Sequence, residues 1–108
     1  MRSLTLANGH SIMVHEAPDA VARMRGLIGQ TSIPAGEGLL LKGKQVHTFG
    51  MRFSIDAIYL GRAGSVLKVV TLAPRRVGPF MWSAKKVLEM GEGEASRAGI
   101  LPGMTLAL

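Results

Sequence analysis

Cysteine is absent from the 108 residues. That absence removes disulfides, thiolate nucleophiles and cysteine-based zinc sites together, and it suits a reducing compartment. Aromatic residues make up only 5% of the chain, and the aromatic strand of an RNA-recognition domain has no counterpart. No apolar run reaches the length of a membrane-spanning helix. Asn8, Gly9 and His10 interrupt the apolar start before a secretory signal core is complete. The expectation is a soluble, cytoplasmic protein with no membrane span. Glycine is plentiful, yet neither GxGxxG nor GxxxxGKS/T occurs, which excludes Rossmann and Walker-type nucleotide sites.

Acids are scarce in the middle of the chain. From Gly38 to Leu88 the bases are Lys42, Lys44, Arg52, Arg62, Lys68, Arg75, Arg76, Lys85 and Lys86, and the only acid is Asp56. Within a net charge of +6, this stretch projects a positive field that keeps a surface soluble or attracts an anionic partner. The length suits one domain, 1–108, burying roughly 60–70% of its unfolded surface in a single core.

What is present reads as many short strands. Ser3–Leu6 and Ser11–His15 flank Asn8-Gly9, a pair suited to a hairpin turn. Pro18 to Arg25 predicts a short helix, with proline preset for the first turn and Asp19 at its N-terminus. Gly38–Leu41 reads as a buried strand. Ile55–Leu60 and Val66–Leu72 read as an antiparallel pair around the Arg62–Ser65 turn. Pro74–Trp82 reads as a long loop, Lys86–Met90 as a strand with mixed faces, and Glu92–Ala98 as one helical turn ended by Gly99. Met104–Leu108 is expected as a last strand. The fold class is therefore mostly β (α+β): a small antiparallel β-barrel-like domain with one short helix near the N-terminus.

The order of residues is also suggestive. Arg25-Gly26-Leu27 precedes Gly38-Leu39-Leu40, then His47-Thr48-Phe49-Gly50-Met51-Arg52-Phe53 runs into Ile55-Asp56, and Val87-Leu88-Glu89-Met90 leads to Gly93, Ala95 and Gly99. This resembles the DUF192 family, small bacterial and archaeal domains of unknown function, from about Ser11 to Leu108. The resemblance implies a small, mostly β, barrel-like domain and brings no activity, substrate or cofactor. Two positions depart from the family pattern: Ser54 stands where a proline often precedes Ile-Asp, and Met104 where an aspartate often follows the last glycine.

Asp56 is the sharpest single residue, a lone acid in an apolar strand. Buried, it must be paired or hydrogen-bonded; Arg52 or Arg25 could supply the partner, or backbone amides could, and a ligand-facing role is the alternative. His47 is a loop brace, a binding residue or a general base. His47 and Asp56 are accordingly the only, weak, catalytic candidates. For metal, His10, His15, His47, Asp56 and Glu89 have the right chemistry, but none shows a zinc-like spacing; neither a metal nor a cofactor is expected. Phe49, Met51 and Phe53 alternate as core residues do, or form an aromatic platform with Phe80 and Trp82. Arg75 and Arg76 are solvated loop bases or an anion clamp.

These readings leave three functions. The first is a non-enzymatic binding module whose basic loop surface, with His47, Arg52, Asp56, Arg75, Arg76 and Trp82, takes an anionic ligand, an acidic protein segment or a nucleic acid. The second is a small hydrolase or isomerase using His47 and Asp56 as an acid-base pair. The third is an accessory subunit whose interface surrounds Phe80-Met81-Trp82.

Overall fold

The computed structural model describes residues 1–17 and 31–108. Alternation of polar and apolar residues in the first hairpin gives β1 (Arg2–Thr5) and β2 (Ser11–Ala17), paired antiparallel with Leu4 opposite Ile12. Gly9 makes their turn possible, with φ +88. Asn8 accepts from the His10 N–H at 2.9 Å and donates to the Ala98 carbonyl at 2.9 Å, so the turn is tied to the far end of the chain.

Four further strands follow: β3 (Glu37–Lys42), β4 (Ile55–Leu60), β5 (Val66–Leu72) and β6 (Lys86–Gly91). Arg62–Gly64 forms a 3-10 turn between β4 and β5. The antiparallel β4–β5 pair agrees with the sequence, Ile55 facing Leu72 and Ala57 facing Val70.

Among the described residues the sheet has six strands, in the order β1-β2-β3-β6-β4-β5. This corrects the expected antiparallel barrel in two respects. β2 and β3 run parallel, so the sheet is mixed. β1 and β5 lie at opposite edges and do not pair, so the sheet is open. Closure needs a tilt and stagger that bring the first and last strands together. Here β6 instead inserts between β3 and β4, which sets side by side, inside the sheet, the two strands buried at nearly every position, β4 and β6.

Burial on both faces explains why β4 is buried at all six positions. Successive side chains point to opposite faces. Ile58 and Leu60 of β4, with Leu88 and Met90 of β6, join Leu4, Ile12, Val14 and Leu106 in one core. Ile55, Ala57 and Tyr59, with Val87, join Val46, Met51 and Ala84 in a second core on the other face. The mixed faces expected for Lys86–Met90 are thus both apolar except at the half-buried Lys86 and at Glu89, which is fully buried.

The first core is covered by α1 (Glu94–Ala98) and the last residues of the chain. Gly99, at φ +74, ends α1 as the sequence suggests, its N–H reaching the Ser96 carbonyl. Among the described residues this α-helix lies near the C-terminus, whereas the expected fold put its helix near the N-terminus; the Pro18–Arg25 segment falls outside the described residues. Met104–Leu108 is not a strand. It makes a single bridge, Ser65 to Thr105, and docks through Leu106 N–H to the Gly64 carbonyl at 2.9 Å. A Cβ on Gly64 would collide with the Leu106 carbonyl oxygen, so glycine is required there.

The second core is covered by two loops. Residues 43–54 and 73–85 cross that face in opposite directions and bond to each other. Gly43 N–H reaches the Lys85 carbonyl, Met81 N–H the Lys44 carbonyl, Gly78 N–H the Val46 carbonyl and Thr48 N–H the Arg76 carbonyl, at 2.8 to 3.1 Å. His47 and Val77 form a bridge between them. The result is an irregular two-stranded ribbon laid over the sheet, with Val46, Thr48 and Met51 turned inward.

Candidate functional site

Asp56 points to the α1 side of the sheet. Its neighbours across the strands are Thr71 and Met90, and only 3% of it is exposed. One carboxylate oxygen accepts from the Thr71 hydroxyl at 2.8 Å, the other from the Ala95 N–H at 3.0 Å. The acid therefore ties β4 to β5 and to the first turn of α1. It makes no ion pair with Arg52, contrary to one expectation from the sequence; Arg25, the other expected partner, lies outside the described residues. Glu94 does similar work beside it, accepting from the Gly36 N–H at 3.0 Å and pairing with Arg97 at 3.2 Å.

His47 lies on the other face, in the ribbon. Its Nδ1 accepts from the Phe49 N–H at 3.2 Å, and its ring meets the Phe49 ring at 5.6 Å. The sheet separates His47 from Asp56, so the two do not open onto a common point. Two clefts between described residues leave Asp56 out as well. One, of about 440 Å³, is lined by Glu16, Ala17, Leu40, Leu41, Lys42 and Lys86. Another, of about 280 Å³, is lined by Ile33, Phe53, Ser54, Glu92 and Glu94 among others. No group of three or more metal-ligating side chains gathers among the described residues.

The remaining candidates lie along the ribbon, with Arg75 and Arg76 beside Thr48 and Trp82 beside Lys44 toward the other end. Arg75 and Arg76 sit on one strand of it, Trp82 near its end, and Arg52 is exposed on the partner loop. Thr48 holds the arrangement. Its hydroxyl donates to the Ala73 carbonyl at 2.6 Å and accepts from the Arg76 N–H at 2.8 Å, while its own carbonyl accepts from the Arg75 N–H at 3.2 Å. Arg75 consequently adopts φ +61, a left-handed backbone that costs a non-glycine residue about 1–2 kcal/mol.

Tyr59 holds the ribbon from below. Fully buried, it donates to the Pro79 carbonyl at 2.7 Å. Burial pushes its phenol above the ordinary 10.0; a backbone hydrogen bond at Val46 opposes this and the Glu89 carboxylate adds to it. Gly78 must pass over that hydroxyl, because a Cβ there would lie 2.8 Å from it. Gln45 donates to the Gly78 carbonyl at 2.9 Å. Lys44 bonds the carbonyls of Trp82 and Ala84 and stands 5.8 Å from the Trp82 ring centre, within cation–π range.

Sequence reasoning missed the importance of Thr48 and Lys44 and the exposure of Phe49 and Val77. Phe49 is 50% exposed, Val77 58%, Phe80 55% and Trp82 79%. Of the alternating Phe49, Met51 and Phe53, only Met51 is fully in the core. The available signal was the pairing of the two loops: once His47 opposes Val77, alternation places Val46 and Thr48 inward and His47 and Phe49 outward.

No helix among the described residues is long and apolar enough to cross a membrane. Among curated proteins nothing matches this chain. Two solved structures share the fold. A protein of unknown function from Novosphingobium aromaticivorans DSM 12444 aligns with a TM-score of 0.80 at 22% identity, covering 98% of this chain and 82% of that one. A protein from Sinorhizobium meliloti 1021, described as "a putative transcription regulator", aligns with a TM-score of 0.76 at 21% identity, covering 96% of this chain and 88% of that one. The model of DUF192, an uncharacterized ACR family, matches residues 3–108. That match spans nearly the whole chain, the His47–Asp56 and Val87–Met90 segments included, and the chain belongs to the DUF192 family.

Proposed function

We propose that this protein is a non-enzymatic binding module that takes an anionic partner on the outer face of the loop ribbon. One observation carries the reading: a ribbon anchored by Thr48, Tyr59 and Lys44 presents Arg52, Arg75, Arg76 and Trp82 with no exposed acid between residues 43 and 85. Firm anchoring means that little freedom is lost when a partner docks. Asp56, by contrast, spends both oxygens on Thr71 and Ala95, which leaves the acid-base alternative without its carboxylate. Exposed Phe80 and Trp82 favour a second reading, an accessory surface for another protein.

Trp82 is the only tryptophan, so its emission reports on the ribbon directly. Titration with a heparin oligosaccharide, a single-stranded oligonucleotide and an acidic peptide should quench or shift it for at least one of the three. Binding should weaken steeply between about 50 and 200 mM salt, as counterion release requires for a polyanion. Arg75→Ala/Arg76→Ala should weaken it about tenfold or more. Failure of every anionic partner tried, or binding indifferent to the double substitution, overturns the reading.

A further inference from the structure

The ribbon carries more than charge. Phe49, Val77, Phe80 and Trp82 all stand half or more exposed on it, interleaved with His47, Arg75 and Arg76. An acidic peptide or a nucleic acid would neutralise the arginines and leave much of this apolar surface in water. The rings stand in pairs: Phe80 and Trp82 are 6.1 Å apart and tilted by 47°, and His47 and Phe49 are 5.6 Å apart and tilted by 39°. A bilayer interface accommodates both kinds of group at once. Aromatic and aliphatic tips enter the headgroup–acyl boundary, while cations stay level with the phosphates. Lys44 holds a further cation beside the Trp82 ring, 5.8 Å from its centre.

Resting on the reading of the ribbon as an anion-binding face, we infer that its partner is the surface of a membrane rich in anionic lipid, which the protein meets from one side without crossing. Phe49, Val77, Phe80 and Trp82 insert, and Arg75 and Arg76 engage the headgroups. The opposite side of the sheet, with α1 and Arg97, faces away.

The test uses vesicles of phosphatidylcholine mixed with phosphatidylserine, vesicles of phosphatidylcholine alone, and a heparin oligosaccharide and a single-stranded oligonucleotide as soluble polyanions. Trp82 emission should shift to the blue with the mixed vesicles and be quenched by brominated acyl chains. Sedimentation with mixed vesicles should fall roughly 25-fold for Arg75→Ala/Arg76→Ala, about fivefold for each cation lost near an anionic surface. Trp82→Ala, at a side chain 79% exposed, should fold normally and sediment at least tenfold less. Arg97→Ala, on the far side, should behave as the parent protein. If a soluble polyanion binds and mixed vesicles do not, the membrane inference is wrong and the anion-binding reading stands. If neither binds, both are wrong. Equal binding to phosphatidylcholine alone overturns the headgroup part of the inference.

Discussion

Asp56 occupies a strand position where an apolar side chain would pack more cheaply, and the protein compensates by using both of its oxygens. The Thr71 hydroxyl and the Ala95 N–H each donate to it. Hydrogen bonds to a charged group contribute about 1.5–3 kcal/mol each, and an orphaned partner adds its own penalty. Asp56→Ala should therefore lower unfolding stability by about 2–4 kcal/mol in urea denaturation. Asp56→Asn, which keeps one acceptor for Thr71, should recover about half of that. A loss below about 0.5 kcal/mol for Asp56→Ala would mean that these bonds are exchanged for water at no cost. The sequence made the acid conspicuous, required that it be satisfied and offered backbone amides among its partners, of which that of Ala95 is used, but it did not single out Thr71. A nearby arginine is the obvious candidate in one dimension; a threonine fifteen residues on and an amide thirty-nine residues on become neighbours only after β4 pairs with β5 and α1 folds back.

At the level of elements, the ribbon depends on Tyr59. Its hydroxyl bond to the Pro79 carbonyl should be worth about 1 kcal/mol, which Tyr59→Phe would lose at neutral pH. The alkaline behaviour carries a sign. Burial holds the folded phenol above 10.0, while the unfolded chain ionises at the ordinary value. Above about pH 10 the unfolded state gives up a proton that the folded state keeps. The contribution is thus fully present below that pH and is lost as pH rises toward the folded value. Tyr59 is the only tyrosine, so Tyr59→Phe should lose less stability than the parent between about pH 9 and 11, as followed by thermal melts. Equal losses would mean that the phenol titrates freely. Elements whose signals are local were legible: the Asn8-Gly9 hairpin, β3, the β4–β5 pair, β6, and α1 with its terminating Gly99. The parallel β2–β3 contact, the insertion of β6 between β3 and β4, and the ribbon were not, because each joins segments whose pairing no short-range pattern specifies. The Met104–Leu108 segment alternates as a strand does, yet it docks on the Gly64 turn instead of joining a ladder.

At the scale of the whole molecule, the open sheet leaves β1 and β5 as edges among the described residues. An unpaired edge is a template for another chain, and a single charge is one of the devices that discourages it. On β5, Val66-Leu67-Lys68-Val69-Val70-Thr71-Leu72, the only charge is the exposed Lys68. Lys68→Val should leave the fold intact and lower the protein concentration at which self-association appears by about tenfold, roughly 1.4 kcal/mol of added association energy, as measured by light scattering. A monodisperse variant at the same concentrations would show that the edge is guarded by something other than charge. The two faces of the sheet differ in kind. One is sealed by α1 and the docked last residues, the other by a ribbon whose alternate side chains divide their work. Inward positions such as Val46, Thr48 and Met51 hold the framework, while the side chains of outward ones such as Phe49 and Val77 stand half or more exposed. That division makes the ribbon a display platform: its outward letters can be rewritten for a different target while the inward ones keep the scaffold standing.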